Sequence, residues 1–374
     1  MAGIYLHIPF CKQSCHYCDF HFSTTFAGYR ERLIDAICKE IELQKNFTSE
    51  KIETIYFGGG TPSLLNKLEL EKILQKIRDT FDVKSVQEIT LEANPDDLNA
   101  SFVNDLVQVG INRLSIGIQS FHEEDLRYMN RAHNAEQALQ CIKIAQQAGI
   151  SNISIDLIYG FPLLTNEKWK SNLETAIELG VQHISSYSMT VEPGTALSSF
   201  INKGKLPSID DEQSAVQFQY LLKTLLDNGF EHYEISNFCL PSYESKHNSS
   251  YWLQKKYVGV GPSAHSYDGK NRFWNISNNM KYLLSIEQGT LPNTLEEIAE
   301  NTAYNEYVLT RLRTKWGVEE KQIQSYSKDI QEQFHSVSKE YIERQLMTFE
   351  NGIYTLTTEG KLLADGIASD LFVI

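Results

Sequence analysis

The sequence lacks the features typical of membrane, secreted and nucleic-acid-binding proteins. Its 374 residues contain no apolar run of the roughly 18 or more residues that a membrane span needs. The N-terminus has no basic start, long apolar core or small-residue cleavage site, so we predict no secretory signal and a cytoplasmic location. Basic residues are also scarce, since 34 Lys and Arg face 48 Asp and Glu, for a net charge of −14. An acidic chain disfavours DNA, RNA and anionic membrane surfaces as partners.

Cysteine is scarce but unevenly distributed. Of the six cysteines, three lie within eight residues, at Cys11, Cys15 and Cys18. In a reducing compartment, such a cluster is more often a metal site than a set of disulfides.

The first 235 residues repeat a pattern of short apolar strand, amphipathic helix and glycine. Glycines at the joints, such as Gly110 before INRLSIGI and Gly149 before ISNISIDLI, suit the left-handed cap that ends a helix. At least six such units predict an α/β fold with a parallel sheet and right-handed crossovers. We expect a partial (β/α)6 barrel, with a doubly wound sheet as the alternative.

The pattern breaks after residue 235, so we predict three units. Residues 1–235 form the barrel, residues 236–295 an irregular extension rich in Asn, Ser, Tyr and Gly, and residues 296–374 a smaller, mainly helical domain. In the last unit we expect a β-hairpin arm at GIYTLT and helices near Glu297–Arg313, Glu319–Ser325, Ser338–Thr348 and Lys361–Ser369. Helices followed by a hairpin are typical of a winged-helix-like domain.

The three clustered cysteines suit an iron–sulfur cluster. Thiolates are soft ligands, and three of them can hold three irons of a [4Fe–4S] cubane. The fourth iron then has no protein ligand, so the amino and carboxylate groups of S-adenosylmethionine (SAM) can chelate it. The alternative is a zinc site completed by His16 or His21.

A second motif follows the second predicted strand. Gly58-Gly59-Gly60-Thr61-Pro62 would let the backbone approach a ligand without a Cβ clash, although a flexible turn has the same composition. The CxxxCxxC loop after the first strand, combined with this glycine motif after the second, resembles the radical SAM family.

Polar residues lie at the ends of later strands, where barrel folds place active sites. Glu92, Gln119 and Asp156 would point toward the barrel mouth and bind SAM, or simply bond to the backbone. Arg131 would pair with the SAM carboxylate, or carry a solvated helix charge.

More extended segments resemble the HemN-like branch, the coproporphyrinogen dehydrogenase branch, of that family. They are IYLHIPFCKQSCHYCDF, FGGGTPS, TLEANPD, IGIQSF, MNRAH and IDLIYGFP. The resemblance implies a cluster on Cys11, Cys15 and Cys18. It also implies a SAM site formed by Tyr5, Tyr17, Gly59, Gly60, Thr61, Glu92, Gln119, Arg131 and Asp156.

Two departures distinguish this chain from the dehydrogenases. Their pattern is CxxxCxxCxC, whereas Phe20 stands at the position of the further cysteine. They also carry an N-terminal extension, whereas Cys11 is the eleventh residue here. Both departures count against decarboxylation of coproporphyrinogen III.

A third feature indicates a subgroup. His247-Asn248-Ser249-Ser250-Tyr251-Trp252 is similar to the HNxxYW motif of HemW-type heme chaperones. Imidazole is a good axial ligand for heme iron, and two aromatic rings offer flat surface to a porphyrin. The simpler alternative is a hydrogen-bonded His247 beside two packed aromatic residues. His265, in GVGPSAH, is a second candidate for heme or SAM contact, or an internally bonded loop residue.

The sequence therefore predicts a heme chaperone that passes heme to an acceptor hemoprotein. The resemblance implies a respiratory acceptor, which would be membrane-associated. The cluster and SAM would either assemble a competent state, such as a homodimer, or drive a radical step. The runner-up is a radical SAM enzyme acting on a porphyrinogen, and the third hypothesis is a zinc-stabilised protein.

Overall fold

The computed structural model describes residues 1–373. Six parallel strands follow one another in the sheet in chain order. They are β1 (Ala2–Ile8), β2 (Ile52–Gly59), β3 (Glu88–Ala93), β4 (Arg113–Gln119), β5 (Asn152–Tyr159) and β6 (His183–Ser188). The helices between them are α1 (Arg30–Leu43), α2 (Lys67–Thr80), α3 (Ala100–Val109), α4 (Glu123–Tyr128), α5 (Ala135–Gln147) and α6 (Asn166–Glu178). This sequential order confirms the partial barrel, since a doubly wound sheet reverses its strand order.

Local signals fix where these helices begin and end. Asn66, Asn99 and Asn134 each cap a helix by accepting a hydrogen bond from a backbone N–H in its first turn. Gly110 ends α3 at φ +98°, a left-handed conformation that glycine adopts without strain. The predicted glycine joint is confirmed at this position.

The strands alternate between an apolar outer face and a polar inner face. Ile4, Leu6 and Phe57 are completely buried in the hydrophobic core. Tyr5 and Tyr56, one position away along the same strands, line an internal cavity. The barrel interior is thus polar, which prepares it for a polar ligand.

The sheet continues beyond the barrel strands. After β6 come α7 (Ala196–Asn202), α8 (Asp211–Asp227), β7 (Glu231–Glu234), β8 (Asn237–Cys239), α9 (Lys246–Trp252), β9 (Tyr257–Val260), β10 (His265–Tyr267), β11 (Asn271–Asn275), α10 (Asn279–Glu287) and β12 (Asn293–Glu297). The full order is β12-β11-β10-β9-β1-β2-β3-β4-β5-β6-β8-β7, and β9 runs parallel to β1.

The prediction of an irregular extension at residues 236–295 is therefore wrong. This segment contributes β8–β11 and most of β12 to the sheet. Its strands are three to five residues long and carry polar and aromatic side chains such as Arg272 and Trp274. Short strands at a sheet edge have no long apolar alternation, so the periodicity signal was missing.

The C-terminal part has its own hydrophobic core around Tyr304, Phe334 and Leu371. Its elements are α11 (Glu300–Leu312), β13 (Val318–Glu319), α12 (Glu320–Ile323), α13 (Lys328–Glu343), β14 (Met347–Glu350), β15 (Ile353–Leu356), α14 (Thr358–Lys361) and α15 (Ala364–Leu371). The hairpin arm expected at GIYTLT is β15, and β14 pairs with it as the other arm. The helix predicted at Ser338–Thr348 has the wrong bounds. The observed helix α13 ends at Glu343, and Gln345 takes a positive φ of 60°, which a helix does not allow.

The three-unit division, with bounds at 235 and 295, stays a prediction. Within residues 1–373, no helix combines the length and apolar character required to cross a bilayer.

Candidate functional site

The cysteine loop is held at both ends. It leaves β1, and Cys11 N–H donates to Ser23 O at 3.1 Å while Ser23 N–H donates to Pro9 O at 2.8 Å. In its middle, His16 N–H donates to Met129 O at 3.1 Å, beside the end of α4. The loop is therefore closed on itself at its base and attached at its middle to the end of α4.

The three thiols have different surroundings. The Thr61 hydroxyl donates to Cys11 Sγ at 3.4 Å, and Arg131 Nη1 donates to Cys15 Sγ at 3.2 Å. Burial raises the pKa of the Cys18 thiol to about 11. Hydrogen bonds to sulfur fit an iron–sulfur site, where they stabilise thiolate charge.

The ligand set of a single zinc ion is not assembled. Within residues 1–373, no three His, Cys, Asp or Glu side chains converge on one ion. His16 Nδ1 donates to Tyr128 O and His21 Nε2 contacts Asn279 Oδ1, each at 2.8 Å. Each of these histidines therefore has one ring nitrogen engaged by another part of the chain.

The glycines after β2 lie directly against the cysteine loop. A Cβ on Gly60 would lie 2.6 Å from Phe10 O and 3.1 Å from Cys11 Sγ. A Cβ on Gly59, whose φ is +109°, would lie 2.8 Å from the His7 ring. Glycine is needed here because the backbone passes close beside His7 and the cysteine loop.

Two predicted SAM carboxylates line one internal cavity of about 220 Å³, which we call the inner cavity. Glu92 accepts from the Tyr56 hydroxyl at 2.7 Å and from Gly59 N–H at 3.2 Å. Burial raises the pKa of Glu92 to about 7 and that of Asp156 to about 6. The full wall is Tyr5, Tyr56, Glu92, Ser115, Asp156, Ser185, Tyr187, Asn248 and Tyr251. Carboxylates and hydroxyls at one place suit a ligand rich in hydroxyl groups, such as a ribose.

Arg131 is not a solvated helix charge. Its Nη2 donates to Asn94 Oδ1 at 2.7 Å and to Gly117 O at 3.0 Å. Its Nη1 reaches Cys15 Sγ and, at 3.4 Å, the Tyr17 hydroxyl. Its Nε is buried and, within residues 1–373, has no hydrogen-bond partner. A buried, unpaired N–H beside the cysteine loop fits a carboxylate ligand.

Gln119 ends β4 in a strained conformation. It is buried, and its φ of +67° lies in the left-handed region, which costs a non-glycine residue about 1–2 kcal/mol. The strand register also shifts between Ile116 and Gln119. Strain of this kind is concentrated at ligand sites.

The sequence did not identify several residues of the inner cavity, among them Tyr56, Ser115 and Ser185. Strand register contained a usable signal, because Ser115 pairs with Glu92, and Ser185 with Asp156. Arg113 was also missed. It is 1% exposed, and its Nε and Nη1 have no partner within the described residues.

His247 is buried in the interior of the protein rather than on its surface. It is 0% exposed, with Nδ1 2.8 Å from the Thr54 hydroxyl and Nε2 2.8 Å from the Tyr251 hydroxyl. Its ring stacks on Tyr56 at 5.0 Å, and burial lowers its pKa to about 3. Both nitrogens are therefore engaged, so iron ligation, which stays a prediction, requires one of these bonds to break.

A larger cavity of about 630 Å³, which we call the outer cleft, opens beside the cysteine loop. Phe20, 68% exposed, lies on one wall, and His265 lies on another. Tyr5 and Tyr251 line both cavities. The outer cleft is lined by Tyr5, His7, Asp19, Phe20, His21, Tyr251, Gln254, Lys255, Tyr257, Ser263, His265, Tyr267, Arg272, Glu306 and Thr310.

Comparison with known proteins identifies the family. The family model of the radical SAM superfamily matches residues 5–176. A curated relative from Bacillus subtilis (strain 168), named heme chaperone HemW, is 33% identical over 98% of each chain. The chain belongs to the HemW family. Membership of the radical SAM superfamily implies a [4Fe–4S] cluster and SAM, and the geometry around Cys11 and Arg131 fits both.

Other comparisons agree with this HemW assignment. Heme chaperone HemW of Mycobacterium tuberculosis H37Rv is 32% identical and covers 99% of this chain and 94% of its own. Coproporphyrinogen III oxidase (HemN) from Escherichia coli has a TM-score of 0.85 at 23% identity, over 100% of this chain and 90% of its own. That structural likeness shows the fold, and the HemW relatives confirm the predicted subgroup.

Proposed function

We propose that this HemW-family protein is a heme chaperone that binds heme and passes it to an acceptor hemoprotein. The observation that carries the proposal is the 33% identity to a protein named heme chaperone HemW over 98% of both chains. The outer cleft supports it, since about 630 Å³ lies within the range of roughly 300–1,000 Å³ typical of cofactor pockets.

The proposal includes the cluster and SAM. Cys11, Cys15 and Cys18 hold the cluster, which supplies electron transfer and an open iron when bound. SAM lies against Arg131 and the inner cavity, contacting the predicted set of Tyr5, Tyr17, Gly59, Gly60, Thr61, Glu92, Gln119, Arg131 and Asp156. In one form of the proposal these cofactors assemble a dimer competent for transfer, and in the other they drive a radical step.

We place the protein in the cytoplasm and propose a respiratory hemoprotein as the acceptor, which reaches the chaperone at the membrane surface. The sequence motif predicts His247 as a heme ligand, and ligation by His247 requires its hydrogen bond to Thr54 or to Tyr251 to break.

Heme handover is the decisive experiment. Anaerobically reconstituted protein is loaded with one equivalent of heme and mixed with increasing concentrations of an apo-cytochrome. We expect the transfer rate to rise with acceptor concentration, because a chaperone passes heme within a complex. A rate independent of acceptor would mean simple dissociation and contradict the proposal.

A SAM-dependent enzyme acting on coproporphyrinogen III is the second candidate, favoured by the likeness to HemN. Anaerobic incubation with coproporphyrinogen III, SAM and a reductant tests it. We expect no protoporphyrinogen, because Phe20 occupies the position of the dehydrogenases' further cysteine. Product formed at a rate dependent on the cluster would establish the enzyme.

A further inference from the structure

The segment Gly259–His265 folds tightly over the end of β1. A Cβ on Gly259 would lie 1.8 Å from His265 O, and a Cβ on Gly261 would lie 2.4 Å from His7 O. Gly261 also has a φ of +105°, which other residues rarely adopt. Both glycines are therefore required by close backbone contacts, whose result is to hold His265 at the outer cleft beside β1.

His265 differs from the other histidines of the outer cleft. It is exposed, and its ring makes no side-chain hydrogen bond to any part of the chain that the structure describes. His7 Nε2 donates to His21 O at 2.8 Å, and His21 Nε2 contacts Asn279. The His265 ring stacks on Trp274 at 6.1 Å with an interplanar angle of 28°. Desolvation, with the nearby charge of Arg272, lowers the pKa of His265, which favours the neutral, metal-binding imidazole.

The walls around His265 suit a flat macrocycle. Phe20 lies on the cysteine loop. Tyr257 and Tyr267 come from the neighbouring strands β9 and β10, where they are paired with each other. Such rings supply apolar contact area to a porphyrin. Burial of a large apolar side chain stabilises a fold. Phe20 is nevertheless 68% exposed, and packing within the described residues does not explain that exposure.

The charges of the outer cleft suit a ligand with acidic substituents at its rim. Arg272 is already paired with Glu296 and Glu306. Within residues 1–373, the ion pair of Lys255 is an exposed one with Glu53 at 3.4 Å, and a pair of that kind stabilises little. Lys255 can therefore bind one propionate of heme, whereas Asp19 and Glu306 disfavour a propionate near them.

We propose that heme docks in the outer cleft with His265 as an iron ligand, and that His247 positions Tyr251 at the boundary between the two cavities. This inference rests on the proposed heme-binding function. Of the predicted SAM partners, Glu92 and Asp156 line only the inner cavity, whereas Tyr5 lines both cavities, so we expect SAM to occupy the inner cavity and to reach the outer cleft only at Tyr5.

The inference is tested by titrating ferric heme into four proteins, which are wild type, His265→Gly, His247→Gln and His335→Ala. His335 is a matched control, because its side chain is 42% exposed and lies outside the outer cleft. Cluster content is measured in each, so that a folding defect is recognised. The readouts are affinity and the axial-ligand signature in the absorption and electron paramagnetic resonance spectra.

We expect His265→Gly to bind heme at least tenfold more weakly and to lose the histidine-ligated spectrum, and added imidazole to restore that spectrum. His247→Gln should weaken binding a few-fold through Tyr251 and keep the spectrum. A wild-type spectrum in His265→Gly, or imidazole rescue of His247→Gln instead, would overturn the assignment but leave the chaperone proposal intact. A wild type that binds no heme would overturn both.

Discussion

The two cavities share Tyr5 and Tyr251 but have opposite chemistry. The inner cavity, of about 220 Å³, contains two carboxylates with raised pKa values and several hydroxyls. The outer cleft, of about 630 Å³, is lined mainly by aromatic and histidine rings. A polar cofactor and a flat apolar one can thus lie side by side, separated by two tyrosines. The fold therefore provides two cavities of different character, and the proposed role of each can be tested separately.

The histidines show the same contrast. His247 is fully buried with both nitrogens hydrogen-bonded, whereas His265 is exposed and stacked only on Trp274. Sequence motifs favour His247 as the ligand, while its surroundings favour a structural role. The sequence motif and the accessibility of the side chain therefore favour different histidines as the heme ligand, and measurements on variants of both decide between them.

The largest effect that separates the two cavities is expected from removing the cluster ligands. The triple variant Cys11→Ala, Cys15→Ala, Cys18→Ala should lose the cluster and SAM binding completely, because no other described thiol lies in the loop. Heme binding in the outer cleft should be retained within a few-fold. Iron and sulfide analysis, SAM binding and heme titration measure the three quantities.

Cys141→Ala is the matched control for that triple variant. Cys141 is 1% exposed within α5, so its removal perturbs the core and leaves the loop intact. It should keep a full cluster. If the triple variant also failed to bind heme while keeping its fold, heme and cluster would share one site, and the distinction between the cavities would be wrong.

The second effect concerns stability. His247→Ala should lower the free energy of unfolding by about 2–4 kcal/mol, because it opens a cavity and leaves the Thr54 and Tyr251 hydroxyls without their partner. His265→Ala should change it by no more than about 0.5 kcal/mol, as expected for an exposed side chain. Denaturant unfolding of both variants measures the difference. Equal losses would mean that His265 is as structurally engaged as His247.

The regular part of the fold was predictable from the sequence. The six parallel strands followed from local signals, which are glycine caps such as Gly110 and runs of apolar residues. The extension was not predictable, because β9 pairs with a strand far away in sequence and the short strands β10–β12 are added to the sheet beyond β9. β9 contacts β1, more than 250 residues earlier, and no local pattern encodes such a pairing.

Prediction of the site shows the same limit. Motifs identified Glu92, Arg131 and Asp156, and the structure brings Glu92 and Asp156 to one cavity. The burial of His247 could not be predicted, because one of its two hydrogen-bond partners, Thr54, lies in β2 and is far away in sequence, while the other, Tyr251, lies in its own helix. Accessibility is a property of the assembled fold, so a motif cannot reveal whether its histidine is free to bind a ligand.

The third effect should be confined to the inner cavity. Glu92→Gln should weaken SAM binding about tenfold, because a carboxylate that accepts hydrogen bonds becomes an amide that also donates. Heme affinity should not change. Isothermal titration with SAM and heme tests this, with Glu71→Gln on the exposed face of α2 as control. A matching fall in heme affinity would show that the two cavities are coupled.

Glu92 should also give the inner cavity a pH dependence. Its pKa is about 7 in the folded protein against 4.5 for an ordinary glutamate side chain, so the folded state binds the proton more tightly. The contribution of Glu92 therefore makes stability fall as pH rises from about 4.5 through about 7. At pH 8, Glu92→Gln should consequently be more stable than wild type, by about 1–3 kcal/mol. Melting of cofactor-free protein at pH 5 and pH 8 measures this, and a gain that is equal at both values would exclude the carboxyl as its source.

The smallest effect is expected at the rim of the outer cleft. Phe20→Ala should weaken heme binding about threefold to tenfold, by loss of apolar contact with the porphyrin, and should leave stability unchanged because the ring is 68% exposed. Leu68→Ala, whose side chain is 74% exposed on α2, is the control for removing a surface apolar group. SAM affinity should stay at the wild-type value, since Phe20 does not line the inner cavity. If Phe20→Ala weakened SAM and left heme unaffected, the aromatic wall would belong to the SAM site, and the proposed roles of the two cavities would have to be exchanged.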